Sequence, residues 1–269
     1  MCGIVGYVGH RPALQVILAG LHRLEYRGYD SAGVAVPDGR GGLAVARAAG
    51  PLDRLEQRLD TVGRDGFAGT AGMGHTRWAT HGPPTDRNAH PHTDTAGELA
   101  VVHNGIIENF ISLRAELEAG GVELASDTDT EIVAHLVAAA CADGPTAGDL
   151  AASVRAVCGR LEGAFTLLLT HAQQPDMIVA ARRSSPLVLG IGDGETFLAS
   201  DVAAFIEHTR DAVELGQDQV VTITRDGYEV TDFAGNAVEV SPFRVTWDLA
   251  AAEKGGHDYF MLKEIEEQP

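Results

Sequence analysis

The chain has 269 residues, 45% of them hydrophobic, enough to bury the core of one large domain or two small ones. Its 38 acidic and 20 basic residues give a net charge of −18, which argues against a general nucleic-acid or anionic-membrane surface and leaves any anionic ligand to a few local cations. The 3 cysteines are widely spaced with no CxxC, no apolar run is long enough to span a membrane, and no secretory segment precedes Gly3, so a reducing cytoplasm is expected, without disulfide framework or thiolate zinc site.

The chain opens Met1-Cys2-Gly3-Ile4-Val5-Gly6. Methionine ahead of a small residue is commonly trimmed, which would leave Cys2 with both a thiol and a free α-amine. These groups titrate near ~8.5 and ~8, so a modest push would give a thiolate near neutrality. One residue would then supply nucleophile and base. The plain alternative is a small residue starting a buried strand.

A strand is expected at 4–8, followed by an amphipathic helix on Leu14, Ile17, Leu18, Leu21 and Leu24. Strands at 31–36 and 43–48 flank the turn chemistry of Pro37-Asp38-Gly39 and Gly41-Gly42. Further strands fall at 71–77 and 99–103, separated by a polar loop rich in Gly, Pro and His. Phe110, Leu113 and Leu117 mark a helix closed by Gly120-Gly121, and Ile132, Val133, Leu136, Val137 and Ala140 mark another. Thr128 and Glu131 have capping-box spacing at its start. A helix near 150–161 precedes strands at 165–169, 177–181, 187–191, 196–199 and 220–224. The last of these pairs with 228–231 across Arg225-Asp226-Gly227, a hairpin signal. Strands cluster rather than alternate with helices, which favours an α+β fold with antiparallel sheets. From about Ser241 the pattern weakens, giving an expected domain at 1–240 and a linker at 241–269 toward a missing downstream domain.

Three polar clusters accompany Cys2: Tyr26-Arg27-Gly28-Tyr29-Asp30-Ser31, the run Gly74-His75-Thr76-Arg77-Trp78-Ala79-Thr80-His81-Gly82, and His103-Asn104-Gly105. Acyl transfer at Cys2 needs oxyanion donors, which the Asn104 amide and the Gly105 N–H would supply. A substrate carboxylate needs a cation such as Arg77, and a substrate ammonium a carboxylate such as Asp129. Residues 78–82 suit a hinged, water-excluding lid. Each has a plain architectural explanation too: Asn-Gly is a turn dipeptide, Asp129 suits a helix terminus, and an arginine after a strand is ordinarily a surface charge. His75, His81, His90, His92 and His103 show no clear metal-ligand spacing apart from His90-Pro91-His92; structural hydrogen bonding is expected and no metal or other cofactor. Cys141 and Cys158 read as buried small hydrophobes.

Taken together with Asn88-Ala89-His90-Pro91-His92 and Asp127-Thr128-Asp129-Thr130-Glu131, these clusters resemble, in order and spacing, the glutaminase domain of the glucosamine-6-phosphate synthases (glutamine–fructose-6-phosphate aminotransferase, isomerising). Tyr29 and the run Arg77–Gly82 separate this branch from other class II amidotransferases. The resemblance implies an N-terminal-nucleophile fold, a four-layer αββα sandwich of two antiparallel sheets, acting on L-glutamine. It also implies site roles. Cys2 is the nucleophile, with Arg27 beside it, and Asn104 and Gly105 form the oxyanion hole. Arg77 binds the glutamine carboxylate, Thr80 and His81 complete the pocket, Asp129 binds the ammonium with the Gly105 carbonyl, and Trp78 sits in the closing loop. At full length it implies a C-terminal isomerase domain, fructose 6-phosphate as acceptor, and a homodimer. Asp127 and Ser184 depart from the usual glutamate and glycine.

Overall fold

The computed structural model describes residues 2–246. The linker expected from segments 252–256 and 260–269 lies outside them. In chain order the first half comprises β1 (Gly3–Val8), α1 (Ala13–Leu24), β2 (Ser31–Pro37), β3 (Leu43–Ala49), α2 (Leu52–Val62), β4 (Ala71–Arg77), β5 (His92–Thr93), β6 (Leu99–Ile107) and α3 (Phe110–Ala119). The second comprises α4 (Glu131–Ala142), α5 (Leu150–Cys158), β7 (Gly163–His171), β8 (Gln174–Arg183), β9 (Val188–Ile191), β10 (Thr196–Ala199), β11 (Asp211–Glu214), β12 (Gln219–Thr224), β13 (Gly227–Asp232) and β14 (Pro242–Arg244).

The strands form an eight-stranded sheet, ordered β14-β11-β9-β10-β1-β4-β2-β3, and a six-stranded sheet, ordered β13-β12-β8-β7-β6-β5. Every neighbouring pair is antiparallel. The sheets stack face to face through Ile4, Val8 and Met73 on one side and Ala100, Val102, Leu168 and Ile178 on the other. Helices α1 and α2 cover the outer face of the first sheet with Ile17, Leu21, Leu55 and Leu59. Helices α4 and α5 cover the second with Ile132, Leu136, Val154 and Val157. This is the expected four-layer αββα arrangement. Because helices lie over both sheets, the central strands bury both faces; β1, GIVGYV, is buried at every position.

Several local expectations change. Helix α2 was not read from the sequence: Leu52, Leu55 and Leu59 give it a narrow apolar stripe among charged neighbours. Strand β6 continues through Asn104 and Gly105 to Ile107, so Asn104-Gly105 is strand rather than turn. Gly227 likewise opens β13 opposite Thr224, which leaves Arg225-Asp226 as the loop. The capping box is half formed: Thr128 Oγ1 accepts from Glu131 N–H at 3.4 Å, but the Glu131 carboxylate takes the Ala125 and Ser126 amides rather than that of Thr128. Residues 242–244 add β14 to the edge of the eight-stranded sheet, and Val245 is buried against the α1 side of the core.

Candidate active site

Side-chain parity along three strands builds the site. Alternate residues of a strand share a face. On the face between the sheets, β4 runs Ala71, Met73, His75, Arg77, and β6 runs Ala100, Val102, Asn104. Both faces turn from apolar to polar at the same end, where Cys2 leads into β1 and Gly3 pairs with Thr76. The opposite parity on β6 turns His103 outward, with its Nδ1 2.9 Å from Thr130 Oγ1 and 3.9 Å from Asp129 Oδ2 at the approach to α4.

The Trp78 amide donates to Cys2 Sγ at 3.2 Å. Burial pushes the Cys2 thiol up, opposed by this amide and by Arg77 and reinforced by Asp30. The easily ionised thiol expected from chemistry alone is therefore not what the fold provides: at neutral pH the thiol keeps its proton until a base removes it. Asn104 Nδ2 donates to the Cys2 carbonyl at 3.0 Å, so the amide stands directly beside the nucleophile.

Arg77 is buried, and its guanidinium donates to the carbonyls of His81, Gly82 and Pro83. Among the described residues it has no carboxylate partner. These bonds fold residues 78–83 over the end of β4, and Asp30 holds the same loop by accepting from the Ala79 amide. Arg27 pairs with Asp201 at 2.6 Å, and its neighbour Gly28 passes so close to Arg77 that a Cβ would stand 2.6 Å from the Arg77 carbonyl oxygen. Asp129 is buried just before α4 rather than in its first turn. Its Oδ2 accepts from the Ile107 amide at 2.9 Å.

Cys2, Arg27, Arg77, Trp78, Thr80, Asn104, Gly105 and Asp129 all line one cleft of about 310 Å³. His81 stands beside it: its ring packs edge-on against Phe110 and its Nδ1 lies 4.0 Å from Asp129. The cleft also takes Ile106, Thr128, Thr130, Ser185 and Pro186, which sequence reasoning did not place there. Thr128 and Thr130 flank a candidate and were within reach of a closer reading. Ser185-Pro186 arrives from the β8–β9 connection, with no local signal. Trp78 is half exposed and meets Tyr29 edge-on at 5.5 Å.

The histidines expected to serve structure do hydrogen-bond. His75 Nε2 reaches the His103 carbonyl and Asn104 Oδ1, His92 Nε2 reaches Thr128 Oγ1, and His90 Nδ1 accepts from the His103 amide. Burial drives His75 and His92 down to about 3 and His90 well below its ordinary value, so all three rings are neutral. Among the described residues no cluster of three or more His, Cys, Asp or Glu is arranged to hold a metal ion. No helix there is long and apolar enough to cross a membrane.

Comparison with known proteins follows the same lines. Residues 52–245 match the family model described as a glutamine amidotransferase domain. The whole chain is 67% identical to 44% of the glutamine–fructose-6-phosphate aminotransferase (isomerizing) of Mycolicibacterium smegmatis. It is 64% identical to 44% of the enzyme of that name from Mycolicibacterium paratuberculosis. It thus spans less than half the length of these relatives. Among solved structures, the glutamine phosphoribosylpyrophosphate amidotransferase of B. subtilis superposes with a TM-score of 0.72 at 26% identity, over 88% of this chain and 50% of that one.

Proposed function

We propose that this chain, which belongs to the glutamine amidotransferase domain family, hydrolyses the side-chain amide of L-glutamine through a thioester on Cys2. Removal of Met1 frees the Cys2 amine, which takes the thiol proton directly or through a water. The thiolate attacks the side-chain carbonyl carbon. The resulting oxyanion is held by the second N–H of Asn104 Nδ2 and by the Gly105 amide. Collapse breaks the carbon–nitrogen bond, and ammonia leaves with the proton held by the base. Water then adds to the γ-glutamyl thioester, the carbon–sulfur bond breaks, and glutamate departs. Arg77 receives the α-carboxylate and Asp129, with the Gly105 carbonyl, the α-ammonium. Thr80 and His81 complete that end, Trp78 closes over it, and Arg27 stays beside the nucleophile.

One observation carries the reading. A nucleophile, a buried arginine with no carboxylate partner among the described residues, and a buried aspartate border one cleft. Arg77 meets main-chain carbonyls and Asp129 the Ile107 amide and two histidines, so a cation and an anion at one cleft suit a ligand carrying both charges, as an α-amino acid zwitterion does. In the longer protein suggested by the relatives' length, the ammonia passes to a C-terminal sugar-phosphate isomerase domain. There it aminates fructose 6-phosphate to give glucosamine 6-phosphate, in a cytoplasmic homodimer. The test is ammonia and glutamate release from L-glutamine by the mature chain and by Cys2→Ala. Equal release with wild type and none with Cys2→Ala is expected; turnover retained by Cys2→Ala, or glutamine bound without ammonia release, overturns the reading.

A further inference from the structure

The Asn104 amide is useful at an oxyanion only in one of its two rotations, with Nδ2 rather than Oδ1 toward the nucleophile. A free carboxamide in a polar cleft has no strong reason to prefer one over the other. Two main-chain carbonyls, which only accept, remove that freedom. The Cys2 carbonyl lies 3.0 Å from the atom facing it, which must therefore be Nδ2. On the opposite side of the amide, His75 Nε2 lies 3.0 Å from the His103 carbonyl and 2.9 Å from the other Asn104 atom. The first contact requires a proton on Nε2, so the second requires an acceptor, Oδ1. The reverse tautomer would set the Nε2 lone pair against oxygen and bury an N–H at Nδ1, where no partner exists.

We propose that His75 is a positioning residue: its Nε2–H, shared between the His103 carbonyl and Asn104 Oδ1, locks the Asn104 amide with Nδ2 toward Cys2. This rests on the glutaminase reading of the site. The ring is fully buried, packs at a 34° tilt against His90 with centroids 4.3 Å apart, and stays neutral, so the lock does not loosen near neutral pH. His75 touches neither the cleft surface nor the substrate position; it acts through Asn104.

The experiment compares kcat and KM for glutamine hydrolysis in wild type, His75→Gln, His75→Asn, Asn104→Ala and the double variant His75→Asn/Asn104→Ala. Glutamine at position 75 carries an N–H to about the place of Nε2; asparagine is too short. Loss of an oxyanion donor costs about 10²–10³ in rate. His75→Asn is therefore expected to lower kcat by roughly 10²-fold with KM changed by less than about threefold, and His75→Gln to recover most of it. In the Asn104→Ala background, His75→Asn should lower kcat no further, since the two act as a unit. Equal loss in the two His75 variants, an effect confined to KM, or full additivity overturns the proposal. If neither His75 variant folds, ¹⁵N spectra of the wild-type imidazoles decide: Nε2–H at His75 supports the lock, Nδ1–H overturns it. A wild type that releases no ammonia contradicts the function instead, and the two failures remain distinct.

Discussion

The Trp78 amide donates to Cys2 Sγ with nitrogen and sulfur 3.2 Å apart, so the nucleophile is seated by the loop that leaves β4. That loop is fixed from two sides, by Arg77 on its own carbonyls and by Asp30 on the Ala79 amide. Asp30 also raises the Cys2 thiol. Replacing Asp30 by Asn removes the charge and keeps a side-chain acceptor. The thiol should then ionise at lower pH, seen as a downward shift in the midpoint of alkylation rate against pH for Cys2. A midpoint that stays or rises contradicts the electrostatic link.

Substrate binding should depend on both charges. Arg77→Lys loses the planar fork, and Asp129→Asn loses the anion while keeping an acceptor for the Ile107 amide. Charge-assisted hydrogen bonds contribute about 1.5–3 kcal/mol, so each change should weaken glutamine binding by roughly 10–100-fold. Steady-state KM and direct calorimetry of a non-hydrolysable analogue measure it. An unchanged affinity in either variant removes that residue from the binding site.

Stability should fall with acid. The buried imidazoles of His75 and His92, down to about 3, and that of His90, well below its ordinary value, stay neutral in the folded chain while the unfolded chain protonates them below about 6.5. The unfolded state then binds more protons, and stability drops as pH falls below 6.5, by up to about 1.4 kcal/mol per unit for each such group. Glu131, held down to about 2, adds stability present above about 4.5 that is lost only below that pH, so it does not mask the effect at pH 5. Thermal melts at pH 7.5, 6 and 5 should show Tm decreasing steadily; a flat profile contradicts neutral burial.

Two backbone positions should respond in opposite directions. Ser184 sits at φ 67°, the left-handed region that glycine adopts without penalty, so Ser184→Gly should stabilise the chain by about 0.5–1 kcal/mol. Gly105 has φ 129°, and a Cβ there would stand 2.0 Å from the Ala164 carbonyl oxygen. Gly105→Ala should cost about 1–3 kcal/mol and most of the activity. Denaturant unfolding with a turnover assay reads both; a Gly105→Ala chain as stable and active as wild type contradicts the backbone geometry.

Local chemistry was the readable part of this sequence. Short apolar runs between turn signals gave all the described strands but β5, β11 and β14, and helical spacing gave α1, α3, α4 and α5. Helix α2 escaped because three leucines are its only buried residues among charged ones. The edge strands β5 and β14, of two and three residues, bury few side chains, and β11, four residues lying between β14 and β9, is too short to show a pattern. At the site, Cys2, Arg77, Asn104 and Asp129 were legible as residue types in suggestive settings. That Asn104 meets Cys2, 102 positions away, depends on two sheets stacking with matched parity, which no local window contains. The raised thiol was hidden for the same reason, since it follows from burial that the fold creates.

The central claim is that Cys2 is an N-terminal nucleophile facing a formed glutamine pocket. The most direct measurement is the intact mass of the purified chain before and after a glutamine-like electrophile, followed by peptide mapping. The account predicts loss of Met1 and a single adduct on Cys2, suppressed by L-glutamine. Cys158 should stay unmodified, fully buried with its thiol pushed up to about 12. A chain that keeps Met1, remains unlabelled at Cys2, or labels at Cys2 equally with and without L-glutamine would contradict it.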